Sequence, residues 1–423
     1  MDDEMTNQTG MGAGETVGAG ETGQLTFADL LAPLTPERFF ADYHGREVLH
    51  VAGAADKFAA VMSWAKLNAL LDMTGVWSSH SFAMALDGIM VPARDYCQPA
   101  IDRATGANVM QPDAERVTGL VQRGASLVLN DIDTLNPGLA AVARTLESTL
   151  ECRSQANLYC SSRAHPAFAT HFDNHDVYVL HMEGEKLWRI YRGRLDNPIN
   201  HPMFQGQPPS FHDQAKGAVA QEILLKPGDL LYIPRGTYHD ALARTAGSVQ
   251  VSFSAMTPIG LDFVSGLFER AVHESLFRAD VPRRHLPGGD AAFDRHMQAL
   301  AERLAAIASE PATVQAFRQF QDHFRYRRGG FDLSPVMFES RAYRVGPGFA
   351  VVQHGKAWVL TKGNQSTAIP AGHEQVVSWI IAHESFTVDE LTAAVSGVSE
   401  AEGGQIIASL ETMGVIARVP HRL

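Results

Sequence analysis

Two histidines and one aspartate of this chain have the types and spacing of metal ligands. His171 and Asp173 lie two positions apart in ATHFDNHDVYVL, and His239 lies 68 residues after His171. On a strand, residues i and i+2 point to the same face, so we expect His171 and Asp173 to project together while Phe172 points away into packing. Two imidazoles and one carboxylate can hold Fe(II) on one side and leave the other side open for substrate and O₂.

The segment around His239 strengthens this pattern, because an isolated His-x-Asp is expected about once by chance in a chain of this composition. KPGDLLYIPRGTYHDA (226–241) indicates a turn, an apolar strand, a proline-ended loop and then His239. We therefore expect two strands that meet across a barrel. The ligand set favours iron. Zinc, which usually prefers three histidines or thiolates, is the main alternative, and manganese or nickel remain open.

Five more histidines lie near these residues, and each is expected to be a loop or packing residue: His165, His175, His181, His201 and His212. His175 is the closest competitor as a ligand, because it follows Asp173 by two residues. His181 would face the barrel interior if its strand continues.

Lys186 is a candidate anchor for a co-substrate. It follows the EGE turn (183–185) and precedes the apolar run LWRI. The ordinary alternative is a solvated lysine on a polar face. A cation between strands could instead bind the distal carboxylate of a dicarboxylic co-substrate.

Short β-rich runs separated by turns surround these residues. Strands are expected at SLVLND (126–131), ANLYC (156–160), DVYVLHM (176–182), EKLWRIY (185–191), EILL (222–225), DLLYIP (229–234) and SVQVSFS (248–254). Pro137–Glu151 is expected to form a helix with an apolar face of Leu139, Val142, Leu146 and Leu150. Many short strands without intervening helices are typical of a barrel or sandwich.

From 261 to 327 the hydrophobic period becomes helical. An apolar seam has the spacing of a helix that needs a partner, and it consists of Phe293, Met297, Leu300, Leu304 and Ile307. The preceding helix could cover it within one subunit through Phe263, Leu267 and Leu276. We expect instead that two copies pair their seams in a homodimer.

The last segment, 336–423, is expected to be a small separate α/β domain. Helices at Gln375–His383, Val388–Ala394 and Glu400–Gly414 follow strand-like runs, an order that resembles a winged helix. Residues 359–423 contain three lysines or arginines and seven acidic residues. Because a phosphate-binding face needs several cations, DNA binding is not expected.

Composition narrows the class of protein. The chain has 423 residues, a formal net charge of −12 and no run of 18 apolar residues, so no membrane span is expected. The N-terminus lacks the pattern of a secretory signal, and residues 1–23, which repeat GAGET, are expected to be a disordered tail. Cys97, Cys152 and Cys160 form no CxxC pair, which favours a reducing cytoplasm.

The blocks HFD, DVYVL, EGEKLWR and PGDLLYIPRGTYH, in this order and spacing, resemble the ribosomal oxygenases within the JmjC/cupin-4 group of 2-oxoglutarate oxygenases. The resemblance implies an α+β fold: a double-stranded β-helix (24–260), a helical dimerisation region (261–335) and a winged-helix-like domain (336–423). It implies that His171, Asp173 and His239 bind Fe(II), that Lys186 binds the C5 carboxylate of 2-oxoglutarate, and that O₂ is the second co-substrate.

Five further positions matter to this resemblance. Asn157 and Tyr159 match positions that line the co-substrate pocket, and we add Ser254 of the last expected barrel strand. The family's last barrel strand commonly reads Ser-x-His-x-Thr-x-Ser, whereas SVQVSFS places Gln250 at the histidine. The family's residue after the DVxxL run is often glutamine and is His181 here. Both departures concern the substrate rather than the chemistry.

The expected activity is hydroxylation of an Arg or His side chain of a protein or peptide, with a ribosomal protein as a candidate substrate. One alternative is the same chemistry on a free amino acid, a peptide natural product or another small molecule. A second alternative is a non-catalytic cupin that binds a ligand. The complete triad together with Lys186 argues against the non-catalytic alternative.

Overall fold

The structure is a computed structural model that describes residues 25–103, 105–162, 168–329, 342–397 and 399–419. The expected disordered tail, 1–23, lies outside the described residues. The chain divides into two compact units, Met1–Arg328 and Gly329–Leu423. The predicted barrel and the predicted helical region up to 328 therefore belong to one unit.

The strands of the first unit include every strand that the sequence predicts. They are β1 Leu49–Val51, β2 Phe82–Leu86, β3 Ile89–Met90, β4 Cys97–Ile101, β5 Asn108–Pro112, β6 Ser126–Leu129, β7 Ala156–Ser161, β8 Asp176–Glu183, β9 Lys186–Arg194, β10 Val219–Leu225, β11 Leu230–Ile233, β12 Thr237–Ala243 and β13 Ser248–Ala255.

The helices of this unit lie before β1, in several of the connections between strands, and after β13. They are α1 Phe27–Leu31, α2 Pro36–Arg38, α3 Trp64–Leu71, α4 Ala93–Tyr96, α5 Ala114–Gln122, α6 Pro137–Leu150, α7 Pro202–Gln205, α8 Pro209–Ala215, α9 Gly260–Ala271, α10 Ser275–Arg278, α11 Gly289–Ser309 and α12 Pro311–Asp322. A π-helical turn at Phe39–Tyr43 and a 3₁₀ turn at Thr74–Val76 complete the list.

Two antiparallel sheets build the barrel. One has the order β1-β11-β8-β13-β7-β6-β2-β3, and the other has the order β10-β9-β12. Strand β8 shows how they pack, because its side chains alternate between two apolar clusters. Val177 and Val179 join Trp188 of the smaller sheet in one cluster, while Tyr178 and Leu180 join the helices in the other. The predicted double-stranded β-helix is thereby confirmed, and its interior contains the residues selected from the sequence.

Helix α6 illustrates why the outer layer forms where it does. The side chain of Asn136 accepts a hydrogen bond from the backbone N–H of Leu139, and Pro137 occupies the first turn, where no N–H is needed. Leu139, Val142 and Leu146 are fully buried, as predicted. Each such side chain contributes about 1.5–3 kcal/mol by leaving water, so this face holds the helix on the sheet.

The helical segment after the barrel covers part of its own seam. Ile307 is buried within the unit, whereas Leu304 is 40% exposed. Phe263 of α9 contacts Phe317 of α12, with ring centroids 5.2 Å apart. The burial of Ile307 agrees with the intramolecular alternative at one end of the seam, whereas the contact of Phe263 is with α12 and not with a seam residue.

The second unit contains the three helices that the sequence predicts. They are α13 Glu374–Ile381, α14 Val388–Ala394 and α15 Glu400–Thr412. Its strands form two small sheets and are β14 Ala342–Val345, β15 Phe349–His354, β16 Ala357–Lys362, β17 Gln365–Ala368, β18 Ser385–Thr387 and β19 Ile416–Arg418. Val376, Leu391 and Ile406 belong to its apolar core. The winged-helix assignment stays a prediction.

Within the part of the chain that the structure describes, no helix combines the length and the hydrophobicity required to cross a bilayer.

Candidate metal centre and co-substrate pocket

Three side chains converge inside the barrel. The ligand atoms of His171, Asp173 and His239 all lie within 4.8 Å of one another. Nε2 of His239 lies 3.5 Å from Oδ2 of Asp173. The main chains of the two histidines pair directly, with N···O distances of 3.0 and 2.8 Å. The fold therefore brings together the three residues that their spacing had selected.

The two imidazoles present the same nitrogen to this centre. Nδ1 of His171 lies 2.9 Å from the carbonyl oxygen of Ala169, and Nδ1 of His239 lies 2.9 Å from that of Thr237. Because a carbonyl oxygen only accepts, each Nδ1 carries the proton and each Nε2 keeps a free lone pair. Backbone contacts of this kind orient the histidines of metal sites. Two neutral imidazoles and one carboxylate fit Fe(II).

Burial and charge keep these groups in the states that a cation needs. Burial, aided by neighbouring His171, lowers the pKa of His239 to about 4, so the ring is neutral near pH 7. Burial opposes the ionisation of Asp173, but the imidazoles of His239, His171 and His175 outweigh it and lower the pKa of its carboxyl. Neutral imidazole and ionised carboxylate are the metal-binding forms.

The backbone around the first two residues differs from the prediction. His171 makes one isolated bridge to His239, and β8 begins only at Asp176, so the HFD segment does not lie on a continuous strand. The backbone N–H of Gly236 donates to the carbonyl oxygen of Asp173 over 2.8 Å. The side chains converge because these two backbone contacts hold an irregular segment in place, and not because of strand periodicity.

Lys186 is a buried cation at the start of β9. Its side chain is almost inaccessible, with 4% of the residue exposed. Nζ donates to Oγ of Ser161 over 3.0 Å and lies 5.8 Å from the ring centroid of Tyr159. Burial lowers the pKa of Lys186 to about 8. An ammonium held among barrel side chains, with no carboxylate partner among the described residues, is suited to bind an anionic ligand.

One cavity joins the triad to Lys186. Its remaining lining residues come from the inward faces of the strands and from the segment before β8, and they are Gln155, Asn157, Tyr159, Phe168, His175, Val177, Trp188, Ala241, Gln250, Ser252 and Ser254. Six of them were not predicted from the sequence: Gln155, Phe168, Val177, Trp188, Ala241 and Ser252. Strand alternation could have identified two of them, because residues i and i+2 of a strand face the same side. Trp188 follows Lys186 by two residues, and Ala241 follows His239 by two.

The other three predicted co-substrate residues lie on this lining. Oδ1 of Asn157 accepts from the backbone N–H of Asp131 over 3.1 Å, and Oγ of Ser254 accepts from that of Gln155 over 3.1 Å. Burial raises the pKa of Tyr159 to about 12, so its hydroxyl group stays protonated. Tyr159 thus remains a neutral hydrogen-bond donor inside the cavity.

A family model described as a JmjC domain matches residues 131–262, the stretch that contains β7 to β13. The chain carries a JmjC domain. Curated relatives agree with this match, and together they confirm the resemblance seen in the sequence.

Two curated relatives are similar to parts of the chain. The bifunctional lysine-specific demethylase and histidyl-hydroxylase NO66 of Dictyostelium discoideum is 30% identical over 138 residues, which are 32% of this chain and 26% of that protein. Ribosomal oxygenase 1 of Rattus norvegicus is 29% identical over 216 residues, which are 51% of this chain and 34% of that protein. The chain therefore spans only about a third or less of these relatives.

A solved structure of YcfD, a ribosomal oxygenase from Escherichia coli in complex with cobalt and 2-oxoglutarate, is similar to 91% of this chain and 98% of its own. The sequence identity is 16% and the TM-score is 0.47.

The two departures from the family pattern are neighbours inside the JmjC domain. Gln250 lies opposite His181 in the register of β13 and β8. Nε2 of His181 lies 3.0 Å from the carbonyl oxygen of Gly184, while its Nδ1 and Oε1 of Gln250 have no hydrogen-bond partner among the described residues. Burial lowers the pKa of His181 to about 4. The family commonly has histidine at the position of Gln250 and glutamine at the position of His181, and this chain has the reverse. One neutral imidazole and one amide therefore still lie opposite each other on β8 and β13.

A second cavity of the JmjC domain shares His171 and Asp173 with the first. At about 320 Å³ it can take one amino-acid side chain, and its other lining residues are Thr170, Phe172, Asn174, Ile199, Phe204 and His212. The ring of Phe172 packs 5.3 Å from that of Tyr238, and Nδ1 of His212 lies 2.8 Å from Oη of Tyr238. His212, expected only to be a loop or packing residue, lines a cavity beside the metal centre.

Proposed function

We propose that this chain is an Fe(II)- and 2-oxoglutarate-dependent oxygenase that hydroxylates a side chain of a protein. One observation carries the proposal: a single cavity joins His171, Asp173 and His239 to the buried ammonium of Lys186. A dicarboxylate co-substrate needs this pairing, because one end binds the metal and the other end needs a cation.

The chain's own residues would set the geometry of this reaction. Fe(II), when bound by the triad, supplies the activation of O₂ for oxidation of 2-oxoglutarate and of the substrate. Lys186 donates to the distal carboxylate, and the hydroxyl group of Ser161 and the ring of Tyr159 lie beside its ammonium. Trp188 and Val177 line the same cavity with apolar surface and keep water from the reacting groups.

The second cavity is the proposed entry for the target side chain. Phe172 and Phe204 offer aromatic surface, and Asn174 and His212 offer polar atoms. Apart from Asp173, the described lining contains no carboxylate. A guanidinium group would therefore enter without a free counter-charge, whereas a neutral imidazole could stack and form hydrogen bonds. This supports a histidine rather than an arginine as the modified residue.

The names of the relatives support a protein substrate. One is called a histidyl-hydroxylase and another a ribosomal oxygenase. We take a histidine of a ribosomal protein as the substrate of this chain, and the C-terminal unit as a separate domain without a role in DNA binding.

Mass spectrometry tests this proposal. The purified chain is incubated with Fe(II), 2-oxoglutarate and a lysate of the host, and proteins and metabolites are analysed separately for the mass of one added oxygen atom. We expect the addition on a histidine of a ribosomal protein, and its absence with the Lys186→Ala variant. Modified metabolites alone would favour the small-molecule alternative. Failure to consume 2-oxoglutarate in every sample would favour a non-catalytic cupin.

A homodimer through the helical segment is the proposed assembly. Helix α9 presents an apolar stripe to solvent: Leu261 is 54% exposed, Val264 55%, Phe268 66% and, just past the helix, Val272 42%. Their spacing of three, four and four residues places them on one helical face. A stripe of this kind is an association liability when left in water. Because Ile307 is buried in the unit, α9 is a better centre for the interface than the predicted seam on α11.

A further inference from the structure

A deep groove of the first unit concentrates positive charge away from the metal centre. Its lining comes from Leu25, residues 57–61, one face of α6, Arg153 just after that helix, and residues 323–328 after α12. Its volume is about 1480 Å³. The basic residues on its lining are Lys57, Arg144, Arg153, His323, Arg325, Arg327 and Arg328. Glu147 is the only acid on its described lining.

Two of these cations already have partners within the protein. Arg328 forms ion pairs with Glu147 and Asp133, and its side chain is only 6% exposed. Nζ of Lys57 donates to two main-chain carbonyl groups, at 2.9 and 3.2 Å. Glu147, the one acid on the described lining, is therefore paired with Arg328 and does not neutralise the other arginines of the groove.

Four arginines remain available to a ligand. Arg144, Arg153, Arg325 and Arg327 are exposed, and none of them forms an ion pair with another residue that the structure describes. Like charges placed together repel one another unless an anion binds between them. The chain has a net charge of −12, so acids are plentiful elsewhere. The described lining has one acid, Glu147, which is paired with Arg328, so the groove is a local exception to an acidic protein.

Arg153 is held in a fixed orientation. Its guanidinium carbon lies 4.3 Å from the ring centroid of Phe324 and 5.6 Å from that of Tyr326. Stacking on an aromatic face restrains the plane of an arginine and leaves the N–H groups at its edge free to donate. The groove thus contains a preoriented donor and not only flexible charges.

We propose that this groove binds the phosphate backbone of an RNA strand. The planar fork of arginine matches a pair of phosphate oxygens, and each nucleotide of RNA carries one phosphate, so that a short strand can meet all four arginines. Val61, Pro137 and Ala141 give the groove an apolar floor against which sugars and bases can pack. No residue of the groove lines either cavity of the metal centre, so the proposal does not depend on the oxygenase activity.

Fluorescence anisotropy with the full chain and a short fluorescein-labelled oligouridylate tests the proposal. We expect the wild type to bind, with an affinity that falls as salt rises. The combined variant Arg144→Gln, Arg325→Gln and Arg327→Gln should bind at least about tenfold more weakly. Its plot of log affinity against log salt should be shallower by roughly 2, since each lost contact to a single strand removes about 0.7.

A matched variant separates the groove from net charge. Arg123→Gln, Arg192→Gln and Arg278→Gln remove three exposed arginines outside the groove, and this triple variant should bind like the wild type. Circular dichroism checks that both variants are folded. The proposal is overturned if the wild type does not bind at low salt or if both triple variants lose affinity equally. It is also overturned if a polyglutamate peptide of equal charge displaces the RNA at the same concentration as unlabelled RNA, because the ligand would then be an acidic peptide.

Discussion

The hydroxyl group of Thr170 donates a hydrogen bond of 2.8 Å to Oδ2 of Asp240. Thr170 immediately precedes His171, and Asp240 immediately follows His239. The bond therefore ties the irregular segment that carries one imidazole to the strand that carries the other. It adds a side-chain contact to the two backbone bonds between the histidines, and all three resist separation of the proposed ligands.

Replacing Asp240 should loosen the metal site. Its carboxylate also accepts from Oη of Tyr191 over 2.6 Å and from Nε of Arg189 over 2.8 Å. Asp240→Ala leaves these donors without their acceptor, and we expect the Kd for Co(II) to rise about tenfold. Anaerobic isothermal titration calorimetry measures this, with Asp294→Ala, an exposed acid on α11, as the control. An unchanged Kd in Asp240→Ala would show that the backbone bonds alone position the site.

Removal of one proposed ligand should abolish metal binding. In His239→Ala the neighbouring imidazole and carboxylate offer only two donors, and we expect the bound Fe(II) to fall from about one equivalent to less than a tenth. His175→Ala is the informative comparison, since His175 lies close to Asp173 but is not among the convergent ligand atoms. It should keep its metal by elemental analysis. The reverse result would move the site to His175.

Strand periodicity made much of this site predictable. Every strand predicted around the barrel exists, and Lys186 is buried at the start of β9, so it is not the solvated lysine of the ordinary alternative. The same alternation would have identified Trp188 as a lining residue. His171 and Asp173 converge for a different reason, because their segment is irregular and is held by non-local bonds that no local pattern encodes.

The remaining features depend on contacts between segments far apart in the chain. His212 reaches the second cavity from a short helix within the connection between β9 and β10, and its Nδ1 lies 2.8 Å from Oη of Tyr238. The arginines of the groove come from positions 144 to 328 and show no common motif. Local sequence predicts which side chains share a face of one element, but not which elements bring their faces together.

Lys186 should determine the affinity for 2-oxoglutarate without affecting the metal. Lys186→Ala should raise the KM for 2-oxoglutarate at least about tenfold, because the distal carboxylate loses a charge-assisted hydrogen bond. Lys186→Arg should recover part of this affinity, since it restores a cation of different shape. Steady-state kinetics at saturating Fe(II) measures both variants. If the KM of Lys186→Ala is unchanged, another cation binds the distal carboxylate of 2-oxoglutarate.

The same residue should make co-substrate binding depend on pH. Burial lowers the pKa of free Lys186 to about 8, so the ammonium is present below that pH and is lost as pH rises through it. We expect the affinity for 2-oxoglutarate to fall above about pH 8 in the wild type and to stay flat in Lys186→Arg. The pKa of Lys186 is lower in the folded chain than in the unfolded chain. At a pH between these two values the unfolded chain holds the proton and the folded chain does not. The contribution of Lys186 to the free energy of unfolding therefore rises with pH through this range.

The homodimer prediction depends on Phe268, which is 66% exposed on the apolar stripe of α9. We expect multi-angle light scattering to show a dimer at micromolar concentration and Phe268→Asp to convert it to a monomer, because a carboxylate buried at an apolar interface has no partner. Leu304→Asp tests the seam of α11, where Leu304 is 40% exposed. A monomer from Leu304→Asp alone, with circular dichroism unchanged, would return the interface to α11. A monomeric wild type would reject the assembly altogether.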